Sequence, residues 1–154
     1  MKKVIFLDID GVLNSEEFLR SIPTDKLVLV PFDEANFSDN QIDKSKVKLI
    51  NQIIEETNAE IVISSFWRLG YSLQGLKDIF NHAGLKGQII DVTPSIPTED
   101  RNVEIKLWLA HNKVNKFVVI DDDLNAEIQG HFVKTSFQEG LIKEHVDKAL
   151  EILK

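Results

Sequence analysis

Val4-Ile5-Phe6-Leu7-Asp8-Ile9-Asp10-Gly11-Val12-Leu13-Asn14 lies near the start of the chain and decides its fold. Val4 to Leu7 are four apolar residues in succession, cut off by Asp8, Asp10 and Gly11. A strand of a parallel sheet, covered on both faces, has this unbroken apolar character and ends in a polar turn. The design recurs twice. Ile61-Val62-Ile63 ends at Ser64-Ser65, and Phe117-Val118-Val119-Ile120 ends at Asp121-Asp122-Asp123. Gln88 to Val92 and His131 to Thr135 are weaker strand candidates.

Helical patterns fill the intervals. Lys44 to Thr57 spaces Val47, Ile50, Ile53 and Ile54 by helical turns, and Leu73 to Ala83 does the same with Leu76, Ile79 and Phe80 before Gly84, a residue suited to stop a helix. Val103 to His111 carries Ile105, Leu107, Trp108 and Leu109, and Lys143 to Leu153 carries Val146, Ala149, Leu150 and Leu153. Strands alternating with helices predict an α/β fold, a mostly parallel sheet with helices on both faces. The 154 residues suffice for one such domain, residues 1–154, and leave little room for a second. Residues 15–43 fit neither pattern. Pro23, Pro31, the β-rich Leu27-Val28-Leu29-Val30 and the polar Asp33 to Asp43 predict a short flap or lid after the first strand. A large cap is not expected.

Composition narrows the chemistry. The chain has no cysteine, which excludes disulfides, thiolate metal sites and a cysteine nucleophile. The formal net charge of −7 argues against holding nucleic acid by bulk charge, although a local basic rim is compatible with it. No apolar run approaches the roughly 18–20 residues needed to cross a bilayer. Met1-Lys2-Lys3 followed by apolar residues has the look of a signal sequence, but Asp8 breaks the run after four residues. The expectation is a cytoplasmic protein with no membrane contact and no obligate protein partner.

Ligands of open α/β sheets bind beyond the carboxyl ends of the strands. Here three strand candidates end in complementary groups: two carboxylates two residues apart, two hydroxyls, and three carboxylates in a row. Asp-x-Asp-Gly in isolation reads as a turn. Set beside Asp121 and Asp122, Asp8 and Asp10 form an all-oxygen cluster suited to a hard cation such as Mg²⁺. Ser64 and Ser65 read equally as a helix N-cap and as donors to a phosphate, since a helix start is itself an anion site. Trp67 offers a stacking face and Arg68 a bidentate fork, against a core anchor and a surface salt bridge as the plainer alternatives. Arg101 opens a helix, where a cation is electrostatically unfavourable, so it calls for a partner elsewhere. His82, His111, His131 and His145 are scattered without ligand spacing and read as surface or structural residues.

With these residues assembled, the chain resembles the haloacid dehalogenase-like (HAD) superfamily of phosphohydrolases, and more narrowly the small HAD domain of Swiss Army Knife RNA repair proteins. Phe6 to Leu13 is similar to the superfamily's first motif, Ile61 to Ser64 to its second, and Val118 to Asp122 to its fourth. The runs Ser64-Ser65-Phe66-Trp67-Arg68 and Arg101-x-x-Glu104-Ile105-x-x-Trp108-Leu109 resemble the narrower family.

The resemblance implies a single Rossmann-like domain and a Mg²⁺-dependent phosphatase. Asp8 would be the nucleophile that forms an aspartyl-phosphate, and Asp10 the general acid and base. Mg²⁺ would be held by Asp8, the backbone carbonyl of Asp10 and Asp122, with Asp121 close by. Ser64 and Ser65 would bind phosphoryl oxygens. The third motif departs from the family, which mostly uses lysine there; Arg101 is placed in that role, with Lys106, Lys113 and Lys116 as rivals. The substrate would be a phosphorylated small molecule or a nucleic-acid end, contacted by Asn14, Trp67 and Arg68, with Trp67 as a base platform. The rival function is a phosphate-binding or phospho-aspartate signalling module, which would lack the second acid at Asp10.

Overall fold

The computed structural model describes residues 1–23 and 41–154. Among these residues five strands form one sheet: β1 (Lys3–Leu7), β2 (Glu60–Ile63), β3 (Ile89–Val92), β4 (Lys116–Asp121) and β5 (Phe132–Lys134). Their order is β3-β2-β1-β4-β5 and every neighbouring pair runs parallel. The sheet is thus wholly parallel, and both weaker strand candidates are its edge strands. β3 pairs with a register shift between Ile61 and Val62, in keeping with the poorer apolar pattern of an edge.

Among the described residues five α-helices connect and cover the strands: α1 (Glu16–Ser21), α2 (Lys44–Thr57), α3 (Leu73–His82), α4 (Arg101–His111) and α5 (Lys143–Leu153). β1 shows why its run is apolar throughout. Ile5 and Leu7 join a core with Val47, Ile50, Phe80 and Val146 from α2, α3 and α5. Val4 and Phe6 enter the other core with Ile105 and Trp108 of α4. The ring of Phe6 meets that of Trp108 edge-on at 5.4 Å. Alternate residues serve opposite faces, so none can be polar.

Local signals set the helix ends. Asp43 caps α2 by accepting from the Ser45 N–H at 2.9 Å, and Asn58 ends it in a left-handed conformation with φ of 57°. The expected flap at 15–43 begins instead with α1, capped by Ser15, whose hydroxyl accepts from the Phe18 N–H. The β-rich Leu27-Val28-Leu29-Val30 lies outside the described residues. Among the described residues there is no second sheet, and no helix is long and apolar enough to cross a membrane.

The chain order reverses between β1 and β4. From β1 the sheet grows to one side through β2 and β3, and to the other through β4 and β5. That switch point opens a crevice at the carboxyl ends of β1 and β4. Asp8 follows β1, and Asp121 ends β4.

Candidate active site

Asp8, Asp121 and Asp122 converge at this crevice, each with a carboxylate oxygen within 4.8 Å of the others. Asp8 is fixed from below, since its N–H donates to the carbonyl of Ile120 across the β1–β4 seam at 3.1 Å. Burial, reinforced by the charge of Asp121 and opposed by Arg101, pushes the Asp8 carboxyl up to about 8. Burial and the charge of Asp121 raise Asp122 as well. Protein alone does not neutralise the group, so it is a receptive place for a further positive charge.

One cation is already built in. Nη1 of Arg101 lies 2.7 Å from Asp121 Oδ2 and 3.4 Å from Asp8 Oδ2. This is the partner that an arginine at a helix start requires. Burial works to lower the pKa of the guanidinium, but Asp8 and Asp121 more than offset it, and the balance is upward. Lys106 and Lys113 are exposed, and Lys116 begins β4 at the opposite end of the sheet, where its ammonium bonds the Lys154 carbonyl.

The donor set fits a hard divalent cation. All three side chains offer oxygen, and the backbone makes room for them. Gly11 has φ of +80°, and a Cβ there would stand 2.1 Å from Asp122 Oδ2. Its carbonyl accepts from the Thr135 hydroxyl at 2.6 Å, which pins the turn. Gly11→Ala would therefore push the Asp122 carboxylate out of the cluster as well as strain the turn. We expect Mg²⁺ affinity, measured by titration calorimetry, to fall at least about tenfold. An alanine variant with unaltered affinity would exclude Asp122 as a ligand.

Asp10 is exposed and takes no part in the carboxylate cluster; its side chain points elsewhere. Its Oδ1 accepts from Asn14 Nδ2 at 2.9 Å and its Oδ2 from Trp67 Nε1 at 3.2 Å. Asn14 is itself locked, accepting from the Gly11 N–H at 2.9 Å and donating to the Gln41 carbonyl at 3.1 Å. Asn14 and Trp67, expected as substrate contacts, hold a carboxylate instead. Trp67 is only 7% exposed, packed on Tyr71, and has no free face of the kind a base platform needs.

Ser64 and Ser65 divide the two roles foreseen for them. The Ser65 hydroxyl accepts from the Trp67 N–H at 3.2 Å, capping the 3₁₀ turn Phe66–Leu69. The Ser64 hydroxyl is fully buried at the end of β2 and has no hydrogen-bond partner among the described residues, a condition that costs free energy unless a ligand relieves it. Thr93, at the end of β3 and without any signal in the sequence, carries the other such hydroxyl among the described residues.

Arg68 is turned inward. It donates to the carbonyls of Thr93, Ser64, Ser65 and Pro94 and pairs with Glu104 Oε1 at 3.0 Å. Glu104 Oε2 accepts from the Ile96 N–H at 2.7 Å. The guanidinium expected to grip phosphate thus ties β2, α4 and the loop after β3 together. Trp108 is likewise structural, donating to Asp91 Oδ2 at 2.7 Å. His131 stacks on Phe117, and His145 Nδ1 accepts from the Ile142 N–H at the start of α5.

A wholly parallel sheet with acids at the ends of two adjoining central strands, the first followed by Asp-x-Asp-Gly, agrees with a HAD-like domain, a class of phosphatase-type hydrolases to which the family match assigns the chain. The chain belongs to the family described as the HAD domain in Swiss Army Knife RNA repair proteins, whose model matches residues 4–146. No curated protein and no solved structure matches the chain.

Proposed function

We propose that the domain is a Mg²⁺-dependent phosphomonoesterase that works through an aspartyl-phosphate on Asp8, with a nucleotide or a nucleic-acid end phosphate as its substrate. The observation that carries this reading is the meeting of Asp8, Asp121, Asp122 and the Arg101 guanidinium at one crevice, with the Ser64 hydroxyl at the end of the neighbouring strand β2 unpartnered among the described residues. A phosphoryl group there would receive charge from Arg101 and a hydrogen bond from Ser64. Asp8, Asp122 and the Asp10 carbonyl, with Asp121 beside them, would hold Mg²⁺, which would supply positive charge that keeps Asp8 ionised and offsets the phosphoryl oxygens.

In the first step an Asp8 oxygen bonds to phosphorus as the ester P–O bond breaks, and the leaving oxygen takes a proton from Asp10. Water then attacks the phosphorus of the acyl phosphate and gives a proton to Asp10. The bond from phosphorus to Asp8 breaks, inorganic phosphate leaves and the carboxylate is restored. Asn14 and Trp67 keep Asp10 aimed through both steps.

The second step separates a turnover enzyme from a phosphorylated switch. p-Nitrophenolate leaves without a proton, so Asp10→Asn should still be phosphorylated by p-nitrophenyl phosphate but should turn over at least about a hundredfold more slowly. Intact mass after acid quench should show the added phosphate accumulating in Asp10→Asn and scarcely in the parent. Hydrolysis that proceeds without Mg²⁺, or a phosphoprotein equally long-lived in both, would overturn the proposal.

A further inference from the structure

Among the described residues six large hydrophobic side chains are exposed, and Phe66 is the one that contacts the candidate site. Scattered exposed apolar residues are ordinary and need no explanation. Phe66 differs in what it touches. It follows Ser64 and Ser65 directly, is 67% exposed, and has the Cζ of Arg101 at 5.1 Å from its ring centre. Since Arg101 also lies 3.4 Å from Asp8, the ring centre stands within about 10 Å of that carboxylate.

The backbone that carries this ring is held on both sides. Ser65 caps the turn before it, and the buried Trp67 and Arg68 anchor the turn after it. Beside the ring opens a cleft of about 110 Å³, which Phe66 shares with Arg101, Ser95, Ile96, Pro97 and Asn125. A rigid backbone presenting an aromatic ring to solvent, backed by the cation that reaches the nucleophile, has the form of a recognition surface.

We propose that Phe66 is the platform on which the substrate's leaving group stacks, so that the site selects phosphomonoesters carrying a flat aromatic or heteroaromatic ring. The inference rests on the phosphatase reading above and adds the feature that distinguishes one ester from another. With phosphate at Asp8 and a ring on Phe66, the separation suits a ring joined to its phosphate through a sugar. Phe66 thereby takes the task that the sequence suggested for Trp67, whose indole is committed to Asp10.

The test compares adenosine monophosphate with ribose 5-phosphate, which keeps the phosphate and sugar and lacks the ring. The parent enzyme should favour the nucleotide in kcat/KM by at least about tenfold, through KM, and Phe66→Ala should bring that ratio to within about twofold of one. Phe66→Trp should restore it. If Phe66 merely props Arg101, Phe66→Ala lowers both substrates together and leaves the ratio intact; that result, or a parent ratio of one, overturns the proposal. The same comparison as a ratio of Kd values, by calorimetry on Asp8→Asn with Mg²⁺, needs no turnover. Absent hydrolysis with ring-dependent binding would sink the phosphatase reading alone, whereas hydrolysis with ring-blind binding would sink the platform alone. Dinucleotides phosphorylated at the 3′ or 5′ end, run alongside, distinguish a free nucleotide from a strand end as the source of the ring.

Discussion

Asp8→Asn should abolish Mg²⁺-dependent hydrolysis, by at least about a thousandfold, because it removes the oxygen proposed to attack phosphorus. The same substitution should raise the melting temperature of the metal-free protein at pH 8. The sign follows from the two states of the chain. Unfolded, Asp8 loses its proton near the ordinary value of 3.8; folded, it keeps the proton up to about 8. Between these values the folded state binds more protons, so stability falls as pH rises from about 4 to about 8. Asparagine cannot ionise, and the variant should lose this slope. On the proposed function Mg²⁺ would bind the ionised carboxylates, so its stabilising effect on the parent should grow over the same interval. Thermal melts at pH 5 and pH 8, with and without Mg²⁺, check each part. A parent whose metal-free melting temperature does not fall from pH 5 to pH 8, or an asparagine variant that falls as steeply, would exclude Asp8 as the destabilised group.

This coupling of fold to chemistry explains what could be read from the sequence. The strands were legible because a strand buried on both faces leaves no choice of residue, as Val4 to Leu7 illustrate. Asp8, Asp121 and Asp122 were legible because parallel strands all deliver their carboxyl ends to one side of the sheet. Arg101 was half legible. Its clash with the helix dipole announced a partner, but only the topology could name Asp8 and Asp121.

The 3₁₀ turn was not legible. Phe66, Trp67 and Arg68 occupy too few residues for any periodicity to show which side chain faces inward. Trp67, read either as a stacking face or as a core anchor, is buried; Arg68, read either as a phosphate fork or as a surface salt bridge, is paired inside the fold; and the unremarked Phe66 is exposed. Glu104 gave a faint sign. It lies four residues before Trp108, on the face that α4 turns to the sheet, where a charge needs a buried partner.

That partner makes Arg68 the position of largest expected stability loss. Arg68 and Glu104 are both more than nine-tenths buried, and the guanidinium also serves four backbone carbonyls. Arg68→Met fills similar space but strands the Glu104 carboxylate and leaves those carbonyls short of donors. Breaking a buried pair from one side costs about 3–5 kcal/mol, which for a domain of this size is a fall in melting temperature of roughly 10 °C. Arg68→Lys should recover little, because one ammonium cannot reproduce a fork that spans the ends of β2 and β3. Removing both charges, as Arg68→Met with Glu104→Gln, should cost less than Arg68→Met alone, since no buried charge is then left unpaired. Should thermal melts show Arg68→Met within about 3 °C of the parent, or the double variant no better than the single, the pair would not be what joins α4 to the strand ends. The same pair holds the backbone of Ser64 and Ser65 in place, so folded Arg68→Met at low temperature should also turn over more slowly than the parent, with its loss in kcat rather than in KM.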